Sequence, residues 1–214
     1  DSTSSRILHF YLPVYFWMSN LVAQRLPSSG PMIVGISAPQ GCGKSTLAAI
    51  LERLFAHAGK TCAVLSLDDF YLRGCDQDAL ARANMDNPLL QVRGNAGTHD
   101  LSLGLDTLRR LRRLAAGETA PLPRYDKAAR GGRGDRLPEA AWPAVAAPPA
   151  VVLLEGWMLG FRPLATGDPA LTEQEEASAA NAGEPAGTGG AVTTAALRGY
   201  LELHNEMDSW IVIE

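Results

Sequence analysis

MIVGISAPQGCGKST, residues Met32 to Thr46, is the stretch that gives the rest of this chain its meaning. An apolar run rich in β-branched residues enters a turn bearing Gly41 and Gly43 and closes on Lys44-Ser45-Thr46, after which a helical pattern begins. Strand, glycine-bearing turn and helix in that order form a phosphate loop. Gly41 and Gly43 carry no Cβ, so backbone N–H groups can close around phosphate oxygens. The helix that starts near Lys44 points its positive dipole end at the same oxygens. The nucleotide-binding set is therefore Gly41, Cys42, Gly43, Lys44, Ser45 and Thr46. Lys44 is expected on the β- and γ-phosphates of ATP, and the Ser45 hydroxyl on Mg²⁺. Ala38 stands where the pattern has its first glycine, a tolerable change if φ there is negative.

The helix after the loop is expected to run to about His57, with Leu47, Ile50, Leu51, Leu54 and Phe55 on its buried face and Gly59 past its end. A second strand at 61–66 gives strand–helix–strand, hence a parallel pair with a right-handed crossover. That strand ends in Ser66-Leu67-Asp68-Asp69-Phe70-Tyr71. Ligands sit beyond the carboxyl ends of such strands, so two carboxylates face the phosphate loop. One of them is placed to take a proton from a hydroxyl that attacks the γ-phosphate.

Further along, 72–100 reads as irregular and polar, and Asp100 as the N-cap of a helix over 101–116. Arg109, Arg110, Arg112 and Arg113 read as a solvated face of that helix. The loop 121–136 carries Arg124, Lys127, Arg130, Arg133 and Arg136 against Asp126 and Asp135, a credible receptor for a small carboxylate or phosphate. A third strand, Ala150 to Leu154, ends on Glu155, an acid expected to hold Mg²⁺ or a water on it. The Ala/Gly/Thr/Glu-rich stretch 165–196 reads as a disordered insertion, followed by a helix near 196–208 and a strand at Trp210 to Ile213. The domain division is an N-terminal helical extension, 1–31, packed on a kinase domain, 32–214.

With 214 residues and a net charge of −4, the chain suits one α/β domain and argues against a general nucleic-acid binder. The apolar run 7–23 contains His9, Pro13 and Asn20 and falls short of a membrane span. Cys42, Cys62 and Cys75 are odd in number and lack metal-ligand spacing, which points to a reducing compartment.

GISAPQGCGKST, LSLDDFY, VRGNAGTHD, LPRYDKAARGGRGDR and LLEGWMLGF, in this order, resemble the plant and algal D-glycerate 3-kinases over roughly residues 7–163 and 197–214. More distantly they resemble the uridine kinase, pantothenate kinase and phosphoribulokinase group. The resemblance implies a three-layer α/β fold of the P-loop type, a mostly parallel sheet with helices on both faces. It implies transfer of the γ-phosphate of ATP to D-glycerate with Mg²⁺, in the photorespiratory pathway of the chloroplast stroma. The chain is expected to be a monomer without nucleic-acid or membrane partners. Asp68 stands at the position of the catalytic aspartate, beside Lys44. Asp69, Tyr71, Arg93, His99, Arg124, Tyr125 and Arg133 fall in the motifs around the expected glycerate pocket, and Ser45 and Glu155 on the metal. Members of the group continue past the strand ending near Ile213 with a basic lid and a further strand. The fold is thus expected without its C-terminal lid and last strand, and residues 1–214 alone to make a poor kinase. A uridine- or pantothenate-type kinase and an inactive nucleotide-binding protein are the alternatives.

Overall fold

A run of six buried residues, Met32–Ser37, forms strand β1 at the interior of a four-stranded parallel sheet. The structure, a computed structural model, describes residues 5–26, 29–146, 148–163 and 188–214. The other strands are β2 (Cys62–Ser66), β3 (Val151–Gly156) and β4 (Ser209–Val212), and the spatial order is β2-β3-β1-β4. β1 and β3 are buried throughout, and apolar apart from Ser37 and Glu155 near their carboxyl ends, because both their faces are covered, as interior strands of a parallel sheet require.

Side-chain alternation divides the core into two layers. Val34 and Ile36 pack with Leu47, Leu51 and Phe55 of helix α2 (Lys44–His57). Met18, the buried residue of helix α1 (Leu12–Ala23), joins that cluster, and Tyr15 meets Phe55 edge-on with ring centroids 5.1 Å apart. α1 is entered through a π-type turn, Ile7–Tyr11. On the opposite face Ile33 and Leu154 pack with Leu108 and Leu111 of helix α4 (Leu101–Arg113) and with Tyr200 and Leu203 of helix α5 (Thr188–Asn205). Helices on both faces of a parallel sheet give the three layers that the sequence implies. None of the helices among the described residues is long and apolar enough to cross a membrane.

The register sets where chemistry can occur. Ile36 of β1 and Ser66 of β2 both pair with Glu155 of β3, so three carboxyl ends finish at one level. Close approach on the α5 face depends on Gly35: a Cβ there would lie 2.5 Å from the Trp210 ring of β4.

Several elements differ from the expectations. Helix α3 (Gly74–Ala83) occupies part of the segment read as irregular. Gly74 at its start and Gln77 are its buried residues, so it lacks the apolar stripe that would reveal it. α4 stops at Arg113 rather than 116. Its arginines are not merely a solvated face. Arg109 pairs with Glu202 at 2.8 Å and Glu206 at 2.9 Å, and Arg112 with Glu206 at 3.6 Å and Asp208 at 3.3 Å. These carboxylates lie nearly a hundred residues downstream, and no helical spacing announces them. Most of the expected insertion 165–196 lies outside the described residues, but from Thr188 the chain is already helical.

Candidate active site

The phosphate loop leaves β1 and enters α2 through two glycines in the left-handed region, Gly41 at φ 79° and Gly43 at φ 94°. A Cβ on either would meet nothing within 4 Å, so both face the open space in which phosphate oxygens would lie. Arg130 is the non-glycine residue with positive φ among the described residues, so Ala38 is unstrained. At the start of α2 the Ser45 hydroxyl donates to Glu155 Oε1 at 2.8 Å. Glu155 is 5% exposed, and its Oε2 is buried without a hydrogen-bond partner. A buried carboxylate oxygen left over beside a serine hydroxyl suits a hydrated divalent cation. Among the described residues no three or more His, Cys, Asp or Glu side chains form a metal cage.

β2 ends in a short 3-10 turn, Leu67–Phe70, fixed by a reciprocal capping box. Ser66 Oγ accepts from the Asp68 N–H at 3.3 Å, and Asp69 Oδ2 from the Ser66 N–H at 3.0 Å. The box turns the neighbouring carboxylates to different tasks. Asp69 is tied back into the protein, also accepting from Arg124 Nη1 at 3.1 Å. Burial pushes its carboxyl up, and the Ser66 N–H and Arg124 only partly offset this, so it titrates above its ordinary value. Asp68 faces Lys127, whose Nζ lies 2.5 Å from Oδ2. Burial pushes Asp68 up too, but hydrogen bonds from Lys127 and Tyr71 and the lysine charge prevail and hold it below its ordinary value.

The wall opposite the phosphate loop is a short antiparallel ribbon, Tyr125–Asp126 against Asp135–Arg136, and the turn it carries. Arg93, which lines the cleft, holds that turn. It donates to the carbonyls of Gly132 at 2.9 Å, Lys127 at 3.3 Å and Arg133, and lies 5.7 Å from the Tyr125 ring centroid. Arg130 and Arg133 both pair with Asp78 of α3, the latter at 2.8 Å. The resulting cleft has a volume of about 790 Å³ and brings together Lys44, Ser45, Asp68, Asp69, Tyr71, Arg93, Tyr125, Arg133 and Glu155.

Two residues expected at the glycerate pocket lie outside this lining. Arg124 is spent on Asp69 and on the carbonyls of Val64 at 3.2 Å and Pro123 at 2.9 Å. His99 is 6% exposed behind Tyr71, stacked on it at 4.6 Å, with Nδ1 2.6 Å from Tyr200 Oη. Burial pushes this imidazole down to about 4, so it is neutral. Lys127, which the sequence offers within the basic loop, lines the cleft, as do Asp78 and Trp157, which it does not offer as site residues. Asp78 was hidden by the weak pattern of α3.

No protein-family model matches the chain. It is 45% identical over 167 residues to the chloroplastic D-glycerate 3-kinase of Arabidopsis thaliana, covering 75% of this chain and 37% of that protein. It is 43% identical over 145 residues to uncharacterized kinase mug58 of Schizosaccharomyces pombe, covering 67% of this chain and 52% of that one. The chain thus spans between about a third and a half of the length of these curated relatives. Against the solved structure of D-glycerate 3-kinase from Cryptococcus neoformans var. grubii it is 32% identical with a TM-score of 0.81, covering 96% of this chain and 73% of that one. This chain belongs to the D-glycerate 3-kinase family. The superposition on that D-glycerate 3-kinase takes in nearly all of this chain.

Proposed function

We propose that the protein transfers the γ-phosphate of ATP to D-glycerate, giving 3-phospho-D-glycerate and ADP. The observation that carries this reading is the meeting, across one cleft, of a phosphate loop and a carboxylate held ionised at the end of the next strand. The backbone of Gly41 to Thr46 cradles the phosphates and Lys44 neutralises their charge. Asp68 accepts the proton of the glycerate hydroxyl as its oxygen approaches the γ-phosphorus in line. Asp69, fixed by Ser66 and Arg124, holds the turn that aims Asp68. Tyr71, Tyr125, Arg93 and Arg133 are the lining groups available to orient glycerate, with an arginine fork suited to its carboxylate. Ser45 and Glu155 would hold Mg²⁺, which shields the phosphate charge when bound.

The similarity to a chloroplastic enzyme supports a place in the chloroplast stroma and in photorespiration. We also read the protein as a monomer without nucleic-acid or membrane partners. The test is ADP release with Mg²⁺ and ATP against D-glycerate, L-glycerate, uridine and pantothenate, with Lys44→Ala as control. Selective turnover of D-glycerate, abolished in the control, is the expected result. Turnover of uridine or pantothenate instead sinks the assignment, and nucleotide binding without turnover of any acceptor leaves a binding protein.

A further inference from the structure

The cations of the cleft are not equally free. Arg130 and Arg133 are paired with Asp78. Arg93 is held by three carbonyl oxygens of the ribbon turn. Lys127 is different: among the described residues its carboxylate partner is Asp68, the group that must receive a proton. Its side chain is 60% exposed, while its backbone is pinned by Arg93 and by the turn in which Asp126 Oδ1 accepts the Ala128 N–H at 2.8 Å. A fixed backbone and a free four-carbon stem let the ammonium move without moving the wall. An ammonium has three rotatable donors, so it can hold a carboxylate and a phosphoryl oxygen together.

A cation between the two anions lowers the cost of their approach. A γ-phosphoryl group brought next to an ionised Asp68 sets like charges face to face in a partly desolvated site. We propose that Lys127 is a catalytic residue that pairs with Asp68 in the unloaded cleft and engages the transferring γ-phosphoryl group when ATP enters. The pairing keeps Asp68 ionised until acceptor and nucleotide are in place. In the transfer step the hydroxyl proton passes to Asp68 and the acceptor oxygen bonds the γ-phosphorus. The bond from that phosphorus to the β,γ-bridging oxygen breaks, and its electron pair leaves on ADP. Lys127 stays protonated throughout and follows the phosphoryl oxygens, where charge is redistributed.

This rests on the phosphoryl-transfer reading above, but its test needs no acceptor. Lys127→Met and Lys127→Arg are titrated calorimetrically with ADP and with β,γ-imido-ATP, each with Mg²⁺, on the full chain. Lys127→Met is expected to weaken imido-ATP about 10-fold or more and ADP less than about 2-fold, because one charge-assisted contact is lost to the γ-phosphate alone. Lys127→Arg should keep most of the difference. With glycerate, Lys127→Met should lower kcat by about 10²-fold or more with KM for glycerate nearly unchanged. Equal losses for the two nucleotides overturn the proposal, and intact imido-ATP binding with a raised KM for glycerate overturns it and assigns Lys127 to the acceptor carboxylate. A parent chain that binds neither nucleotide overturns it as well. A parent that turns over no glycerate but shows the γ-specific loss refutes the acceptor and upholds Lys127.

Discussion

At Asp68 and Asp69 the same physics acts with opposite results. Both are partly buried and lie next to each other, yet one titrates below and the other above its ordinary value. The difference is the partner: an exposed ammonium with Tyr71 for Asp68, a backbone N–H and a committed guanidinium for Asp69. Asp68→Asn should therefore keep nucleotide affinity and lose about 10²-fold or more in kcat. Asp69→Asn should act mainly on stability. Steady-state kinetics with a thermal melt separates the two, and a larger kcat loss in Asp69→Asn reverses the roles. Arg124 belongs to the same argument. The basic loop invites the reading that it binds glycerate, but its guanidinium already serves Asp69, Val64 and Pro123. Arg124→Ala should cost about 1–3 kcal/mol of stability and lower kcat through a loosened Asp69. A selective rise in KM for glycerate at unchanged stability would return Arg124 to the substrate.

Among the elements, β1 carries the tightest constraint. It must hold the phosphate loop at the level of Glu155 and also receive the Trp210 ring of β4 flat against Gly35. Gly35→Ala puts a Cβ 2.5 Å from that ring, and a close-packed layer has no room to yield. The expected loss is about 1–3 kcal/mol, read as a lower denaturation midpoint at unchanged slope. The same substitution at Gly41, where a Cβ meets open space, should spare packing and impair nucleotide binding, limited by its φ of 79°. Unchanged stability in Gly35→Ala would mean that the Trp210 ring moves aside at little cost.

For the molecule as a whole, buried imidazoles tie stability to pH. Burial pushes His99 and His204 each down to about 4, with Arg162 adding to the effect at His204. In the unfolded chain both titrate near the ordinary value of about 6.5. Between about 6.5 and about 4 the unfolded state takes up protons that the folded state refuses, so stability falls as pH falls. For His99 the full loss is about 3 kcal/mol. Stability is present above about 6.5 and is lost on the acid side. Urea unfolding at pH 7 and 4.5 measures the difference, and His99→Asn should reduce it whatever its own cost. An unchanged pH difference in that variant means His99 is protonated in the folded state.

Local sequence determined the parts that rest on local rules. A β-branched run, two glycines and Gly-Lys-Ser-Thr can hardly form anything but strand, phosphate loop and helix, because backbone sterics and helix-end charge act within a few residues. The acids at the ends of β2 and β3 were legible for the same reason: a parallel strand must deliver its last residues to the ligand edge. Tertiary structure decided which cation serves which anion. Arg109 and Arg112 meet Glu202 of α5 and Glu206 and Asp208 just past its end, and Arg124 is withdrawn while Lys127 is presented. A charged side chain takes whatever partner the fold brings within a few ångströms, and sequence spacing carries no record of that distance.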